Sequence, residues 1–295
     1  MMNKLKKYKL FRPLILSRHP SHSILRAKNQ TLPLLPFKSV IRLGSSTESD
    51  GRVEINTVEA VKNSASKLLM KQKFTEAGVK TANWNVIRNG VWCNYNPNYG
   101  ENMHDDNFRY YEYDGNVVEN VFLNFPFVAK SLHGSRGIGN TKINTKEEFE
   151  NWLINKNLDN YIFEEFVKMT REYRLHVTKF GCFYTCRKLV RNDAPENTWQ
   201  RHDDVCNWVL EENPSFKKPK NWDAIVADCI KAKDALGLDI CAFDVGVQGA
   251  KNGIERENPE WIIFESCSAP SFGNITGQKY IEILPKLLID KYNNK

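Results

Sequence analysis

The chain alternates between short apolar runs of strand length and longer stretches with apolar residues three and four apart. Residues 37–43 read as a strand closed by the turn Gly44-Ser45-Ser46. From 57 to 76 the spacing of Val58, Val61, Leu68, Leu69 and Phe74 predicts one helix, with Gly78 as its stop. Residues 84–87 predict a short strand, and the aromatic, turn-rich stretch 89–120 a surface excursion or hairpin. The apolar run 125–129 predicts a buried strand ending on Lys130. Thr145-Lys-Glu-Glu148 is a capping box that opens a helix to about Lys156. Residues 161–167 predict a strand, and 173–178 with 182–190 a hairpin turned at Gly181. Residues 192–220 form a polar loop. Residues 221–236 place Trp222, Ile225, Cys229, Ala232 and Leu236 on one helix face, ended by Gly237. Two strands follow, 240–247 and 261–264, joined by an exposed hairpin loop at 248–259. The segment 280–292 reads as a helix kinked at Pro285.

With 295 residues, 41% hydrophobic and 26% charged, this is an ordinary globular composition, enough for one or two domains. No run has the length of a membrane span. The seven cysteines are odd in number, lack Cys-x-x-Cys spacing and follow no legible secretory signal. They imply free thiols in a reducing, cytoplasmic compartment and argue against structural zinc. The net charge of +7 is uneven: residues 1–47 carry ten Lys/Arg and no acid. This leaves three readings open: a folded segment with a solvated basic face, a nucleic-acid contact, or a transit peptide. Pro13, Pro20, Pro33 and Pro36 weigh against the last.

Candidate chemistry centres on Phe125-Pro-Phe-Val-Ala-Lys-Ser-Leu-His-Gly-Ser-Arg-Gly-Ile-Gly-Asn140. A strand that delivers Lys130 into a loop with Ser135, Gly137 and Gly139 is a way to cradle phosphates. Glycine lets backbone N–H groups approach an anion, and the lysine adds a point charge. Turns between strands are also often Gly-rich. Lys67 and Lys71 share a helix face, four residues apart. Glu164 and Glu165 interrupt an apolar strand and need partners. The hairpin opens on Arg171 and Arg174 and returns with Arg187, Lys188 and then Arg191, so many cations that it is either a wet sheet face or an anion site. Asp244 and Glu265 lie on neighbouring strand segments, an arrangement that can hold Mg2+ against phosphates.

The ordered set resembles the ATP-grasp superfamily, in the branch of the glutamate-adding ligases and D-alanine–D-alanine ligase, a kind of protein many phages encode. The set runs from Lys67 through Phe-Val-Ala-Lys130, Phe-Glu-Glu-Phe-Val167, Glu-Tyr-Arg174 and Phe-Asp244-Val to Phe-Glu265-Ser-Cys-Ser-Ala-Pro270. The resemblance covers roughly residues 40–290. It implies an α+β protein in which two α/β lobes with antiparallel sheets grip ATP. The expected division is a pre-ATP-grasp region at 1–56, a first lobe at 57–166 and a second lobe at 167–295. By the same resemblance Lys67 reaches the α-phosphate, Lys130 is the second nucleotide lysine, and the loop with Ser135, Gly137 and Gly139 closes over the outer phosphates. Glu164 meets the adenine amino group, the strand Glu165-Phe166-Val167 serves the ring edge, and Glu172 takes the ribose. Asp244 and Glu265 are the implied Mg2+ ligands, and Arg174 and Arg187 the cations on the acceptor carboxylate or acyl-phosphate. The implied activity is an ATP- and Mg2+-dependent carboxylate–amine ligase acting through an acyl-phosphate. Its substrate pair is open, a peptide or protein terminus included, without a membrane, and with nucleic acid only through residues 1–47. Kinase-like phosphoryl transfer and a degenerate nucleotide binder are the alternatives. One departure stands out: the family's usual Asn two residues after the metal Glu is Cys267 here, and thiols suit Mg2+ poorly.

Overall fold

The computed structural model describes residues 9–26, 32–97, 108–110, 117–118, 123–134, 137–196, 198–201, 204–251 and 254–294. The chain opens with a small parallel sheet, β1 (Leu14–Ser17), β2 (Ser39–Leu43) and β3 (Val53–Ile55), in the order β1-β2-β3.

The stretch expected as one helix is two, α1 (Val58–Ala65) and α2 (Lys67–Glu76). Ser66 leaves the helical region at φ −89°, ψ 115°, ending α1 and capping α2 through its hydroxyl, which accepts from the Leu69 N–H at 3.3 Å. A serine competes with the backbone for helix hydrogen bonds, so it suits this junction. Gly78, at φ +63°, closes α2 with the Val79 N–H returning to the Phe74 carbonyl at 2.9 Å.

A six-stranded antiparallel sheet follows, built from β4 (Trp84–Arg88), β5 (Val91–Tyr95), β6 (Phe108–Tyr110), β7 (Phe127–Ser131), β8 (Thr141–Ile143) and, after helix α3 (Lys146–Leu153), β9 (Tyr161–Glu165). Its order is β6-β5-β4-β9-β7-β8. The stretch 89–120, read as a surface excursion or hairpin, thus supplies two antiparallel strands of this sheet. Trp92, Phe127, Phe149 and Phe163 form the aromatic core on one face. Thr145 caps α3, its hydroxyl accepting from the Glu148 N–H at 3.1 Å.

The second antiparallel sheet contains β10 (Arg171–Thr178), β11 (Gly181–Val190) and β12 (Cys206–Leu210), then, beyond helix α4 (Trp222–Ala235), β13 (Ile240–Val247). A small hairpin, β14 (Ala250–Lys251) with β15 (Ile254–Glu255), precedes β16 (Trp261–Cys267) and the final helix α5 (Asn274–Asn293), which carries Pro285 inside it. The order is β12-β11-β10-β13-β16.

Packing does not follow chain order. Met70 and Phe74 of α2 join Tyr173, Leu175, Phe243 and Val245 in the core of the second sheet, although α1 and α2 precede the first. Helix α5 packs Leu284, Leu287 and Leu288 against Ile41, Val53 and Ile55 of the parallel sheet. The expected boundaries at 56 and 166 therefore mark the chain, while the cores cross them.

All seven cysteines are free. Among the described residues no helix is long and apolar enough to cross a membrane.

Candidate nucleotide and acceptor cleft

Lys67 and Lys71, four apart on α2, reach the Gly-rich loop and β9 respectively, and these contacts are the ground for placing a cleft between the two large sheets here. The Lys67 ammonium donates to the Gly134 carbonyl, tying the helix to the Gly-rich loop. Lys71 goes deeper, with no exposed side-chain surface. Its ammonium lies 3.0 Å from Glu164 Oε2, and Lys130 reaches the same oxygen at 2.9 Å. Lys71 also donates to the Thr81 hydroxyl at 2.5 Å, which in turn donates to the Ile263 carbonyl on β16 at 2.9 Å. This chain of bonds joins both sheets at the floor of the cleft.

Burial lowers the Lys71 pKa to about 8, against the pull of Glu164. Burial works against the charge on Lys130 as well, but there Glu164 overcomes it and the pKa is raised. Glu164 is itself buried, which would favour its neutral form, yet Lys130 and Lys71 hold it ionised with a lowered pKa. Burial also lowers Lys67, with Glu265 opposing and Lys130 adding repulsion. Lys67, Lys71, Lys130 and Glu265 therefore share one electrostatic environment.

Lys71 joins Lys130 at Glu164, while Lys67 holds the loop. Glu164, 3% exposed, is engaged by both of these lysines. Strand alternation explains it: Glu164 points with Ile162 and Trp84 into the cleft-side core, and Glu165 points the other way, accepting from Asn83 Nδ2 at 2.8 Å. The Phe166 N–H donates to the Pro126 carbonyl at 3.3 Å, and the Phe166 ring carries Lys142 on one side and meets Trp199 edge-on. Val167 continues this connection into the second sheet. A hollow of about 510 Å³ beside Glu165, lined by Thr75, Thr81, Asn83, Asn85 and Tyr95, includes none of the lysines but shares Thr81 with the Lys71 bond chain.

In the Gly-rich loop Gly137 and Gly139 hold φ +73° and +80°, and a Cβ on Gly134 would stand 2.2 Å from the Ile138 carbonyl oxygen. Ser135 lies outside the described residues, as does His202 of the acceptor-side loop.

The second sheet presents its acids and cations by register. Arg174 stands opposite Asp244 across β10 and β13, and Asp244 opposite Glu265 across β13 and β16, beside an irregularity after Asp244. Arg174 grips Asp244 with both branches, Nε to Oδ1 at 2.7 Å and Nη2 to Oδ2 at 2.8 Å. Lys188 lies 2.5 Å from Glu172 Oε1 and 3.3 Å from Asp244 Oδ2. Burial would raise the Asp244 pKa, but Arg174 and Lys188 hold it well below the usual carboxylate range. Burial raises Glu172, with Lys188 opposing. Trp208 on β12 packs over both cations, 4.9 Å from the Arg174 guanidinium carbon and 5.3 Å from Lys188 Nζ.

Arg187 is not part of this group. It pairs with Tyr173, whose side chain lies in the core on the opposite face of the sheet. The second cation beside Arg174 is Lys188, one residue on; the alternation was legible in sequence, but not which parity faces the cleft.

For a divalent cation, Asp244 and Glu265 are adjacent hard donors of the right chemistry. Among the described residues no group of three or more His, Cys, Asp or Glu forms a ready cage. Mg2+ needs only one or two carboxylates and completes its shell with water and phosphate oxygens, so the two acids are enough in kind, while both Asp244 oxygens already accept from Arg174. Cys267, its thiol pKa raised by burial against the pull of Arg174, adds no hard donor.

No protein-family model and no curated protein matches the chain. Solved structures do. D-alanine–D-alanine ligase from Bacillus anthracis superposes with a TM-score of 0.58 at 13% identity, over 96% of this chain and 98% of that one. The same enzyme complexed with ATP gives 0.57 at 11% identity, over 96% and 98%. A RimK domain ATP-grasp protein from Sphaerobacter thermophilus gives 0.53 at 11% identity, over 95% and 100%. Identities this low speak for architecture alone, and the chain has the ATP-grasp fold.

Proposed function

We propose that this chain is an ATP-dependent carboxylate–amine ligase working through an acyl-phosphate. The observation that carries the reading is the convergence of Glu265 of the second sheet with Lys67, Lys71 and Lys130 of the cleft. Acids suited to a metal and cations suited to phosphates meet at one place, from different elements. The fold's likeness to an ATP-complexed D-alanine–D-alanine ligase adds support.

Attack of a carboxylate on the γ-phosphate brings two anions together, so cations must offset the repulsion. Lys71 and Lys130 would do so on the nucleotide side, with Lys67 holding the loop of Gly134, Gly137 and Gly139 over the outer phosphates. Glu172 would take the ribose hydroxyls and the 165–167 connection the base edge. Arg174 and Lys188 would hold the acceptor carboxylate. The carboxylate oxygen bonds to phosphorus as the bond to ADP breaks; an amine then bonds to the acyl carbon as phosphate leaves. Closure of the loop excludes water, which would hydrolyse the acyl-phosphate. Asp244 and Glu265 would hold Mg2+, which supplies charge neutralisation at the phosphates.

The test is ADP and phosphate release with a panel of amino acids and peptides, together with hydroxylamine trapping of the acyl-phosphate. Neither ADP release nor trapped hydroxamate from any member would end the ligase reading. A second reading, a nucleotide binder without turnover, is favoured by Cys267 and by the engagement of both Asp244 oxygens. It expects ATP binding with no ADP formed.

A further inference from the structure

The second sheet has another face, and its rim is electrostatically incomplete. Arg171 and Tyr173 alternate onto that face from β10, and Arg187 stands opposite Tyr173 from β11. Tyr173 is core, packed by Phe216 and Trp222. Arg171 and Arg187 lie just past the point where this core ends.

Arg171, its side chain 12% exposed, binds Glu255 Oε1 through Nη2 at 2.5 Å. Its Nη1 is buried without a hydrogen-bond partner. The guanidinium lies against Gly249, where a Cβ would stand 3.1 Å from that same Nη1. Arg187 is half-buried, its Nε is also buried without a partner, and it makes no ion pair among the described residues. Arg201 adds repulsion at Arg187, and Lys217 and Lys220 lie near Glu255. Lys220 is matched by Glu257 and Arg171 by Glu255, whose charge also acts on Arg187; Arg187 is left without an ion pair of its own among the described residues.

A buried donor left unmade costs roughly 1–3 kcal/mol, and two stand here side by side on always-charged groups. Guanidinium forks match tetrahedral oxyanions, and a dianion can take donors from two forks at once. We propose that Arg171, seated on Gly249, and Arg187 form a binding site for a phosphate-class oxyanion on the face of the sheet away from the nucleotide cleft. The ligand is inorganic phosphate or a phosphoryl group on a larger molecule. The site does not depend on the ligase reading.

The experiment fills the nucleotide cleft with a non-hydrolysable ATP analogue and titrates inorganic phosphate into the full chain by calorimetry. Phosphate binding is expected in the wild type, weakened about tenfold or more in Arg187→Gln and less in Arg187→Lys, which keeps charge but loses the fork. Phosphoserine in a parallel titration separates the two sources: tighter binding than inorganic phosphate assigns the larger molecule, equal or weaker binding the free ion. Absence of phosphate binding by the wild type with the cleft filled overturns the proposal. So does equal affinity in the wild type, Arg187→Gln and Arg187→Lys.

Discussion

Arg174 and Asp244 face one another across β10 and β13, and the guanidinium closes on both carboxylate oxygens, at 2.7 and 2.8 Å. Removing one partner of a buried pair leaves an uncompensated charge, at a cost of about 3–5 kcal/mol. Lys188 also reaches Asp244, so Arg174→Gln is expected at the low end, near 3 kcal/mol. Asp244→Asn strands two cations and is expected to cost more. Urea unfolding of the two single variants and the double variant measures the coupling. Strictly additive losses would mean that the pair contributes nothing.

Lys71 predicts a pH dependence with two opposite signs. Its folded pKa is lowered to about 8 from 10.5, mainly by burial. ATP binding needs the charged form, so affinity is expected to fall as pH rises through about 8, by up to roughly tenfold per unit. Between about 8 and 10.5 the unfolded chain holds the extra proton, so this group makes stability rise with pH over the same window. ATP titrations and urea melts from pH 7 to 10 read the two trends. A Lys71→Arg variant should flatten both.

Lys71 also shows how far the sequence could be read. Most elements were legible because their periodicity is strong: α4 buries Ile225, Cys229 and Ala232, with Trp222 partly buried at its start and Leu236 at its C-cap before Gly237, and Thr145 caps α3 as its motif implies. Ordered spacing singled out the Gly-rich loop, Lys130, Asp244 and Glu265 as candidates. What spacing does not carry is which partner, distant in sequence, each side chain meets. Lys67 and Lys71 occupy one helix face, and only the position of Glu164 shows which of them goes deep. The choice between Arg187 and Lys188 needs the β10–β11 register, which sequence alone does not contain. The break at Ser66 left the apolar spacing nearly intact, so α1 and α2 read as one helix. Helix α5 packs against β3 and the N-terminal sheet, a contact that chain order gives no reason to expect.

Gly134 should be intolerant of a side chain. Its Cβ would meet the Ile138 carbonyl oxygen at 2.2 Å, and backbone cannot yield as a flexible side chain does. Since Gly134 also accepts from Lys67, Gly134→Ala is expected to displace the loop and weaken ATP binding by about tenfold, ~1.4 kcal/mol. The loop contributes little to the cores, so the melting temperature should move by only a few degrees. An unchanged ATP affinity in a folded variant would remove the loop from the nucleotide site.

His176 governs part of the acid limb of stability. It is fully buried, with its Nδ1 3.1 Å from the Tyr280 hydroxyl, and burial lowers its pKa to about 3. Arg174 pushes in the same direction and Asp244 opposes. Below pH 6.5 the unfolded chain binds a proton here that the folded chain refuses, so stability falls with falling pH. His176→Gln, which cannot titrate, should show a shallower decline between pH 6.5 and 4. Matching slopes in the two proteins would assign the decline to the paired carboxylates Glu164 and Asp244 instead.

Cys267 follows Glu265 by two residues on β16, and its pairing with Ala242 places it one step from the Asp244–Glu265 pair. A half-buried thiol with a raised pKa offers a hard cation nothing comparable to an amide oxygen. Cys267→Asn adds such an oxygen at about the same volume, so it should tighten divalent-metal binding severalfold in the presence of an ATP analogue. Mn2+ serves as the probe, because its paramagnetism reports occupancy directly and needs no turnover. Asp244→Asn should abolish the gain, since the added donor only works alongside the carboxylates already there. If Mn2+ affinity is the same in wild type and Cys267→Asn, the thiol side of β16 faces away from the cation and the two carboxylates alone set its binding.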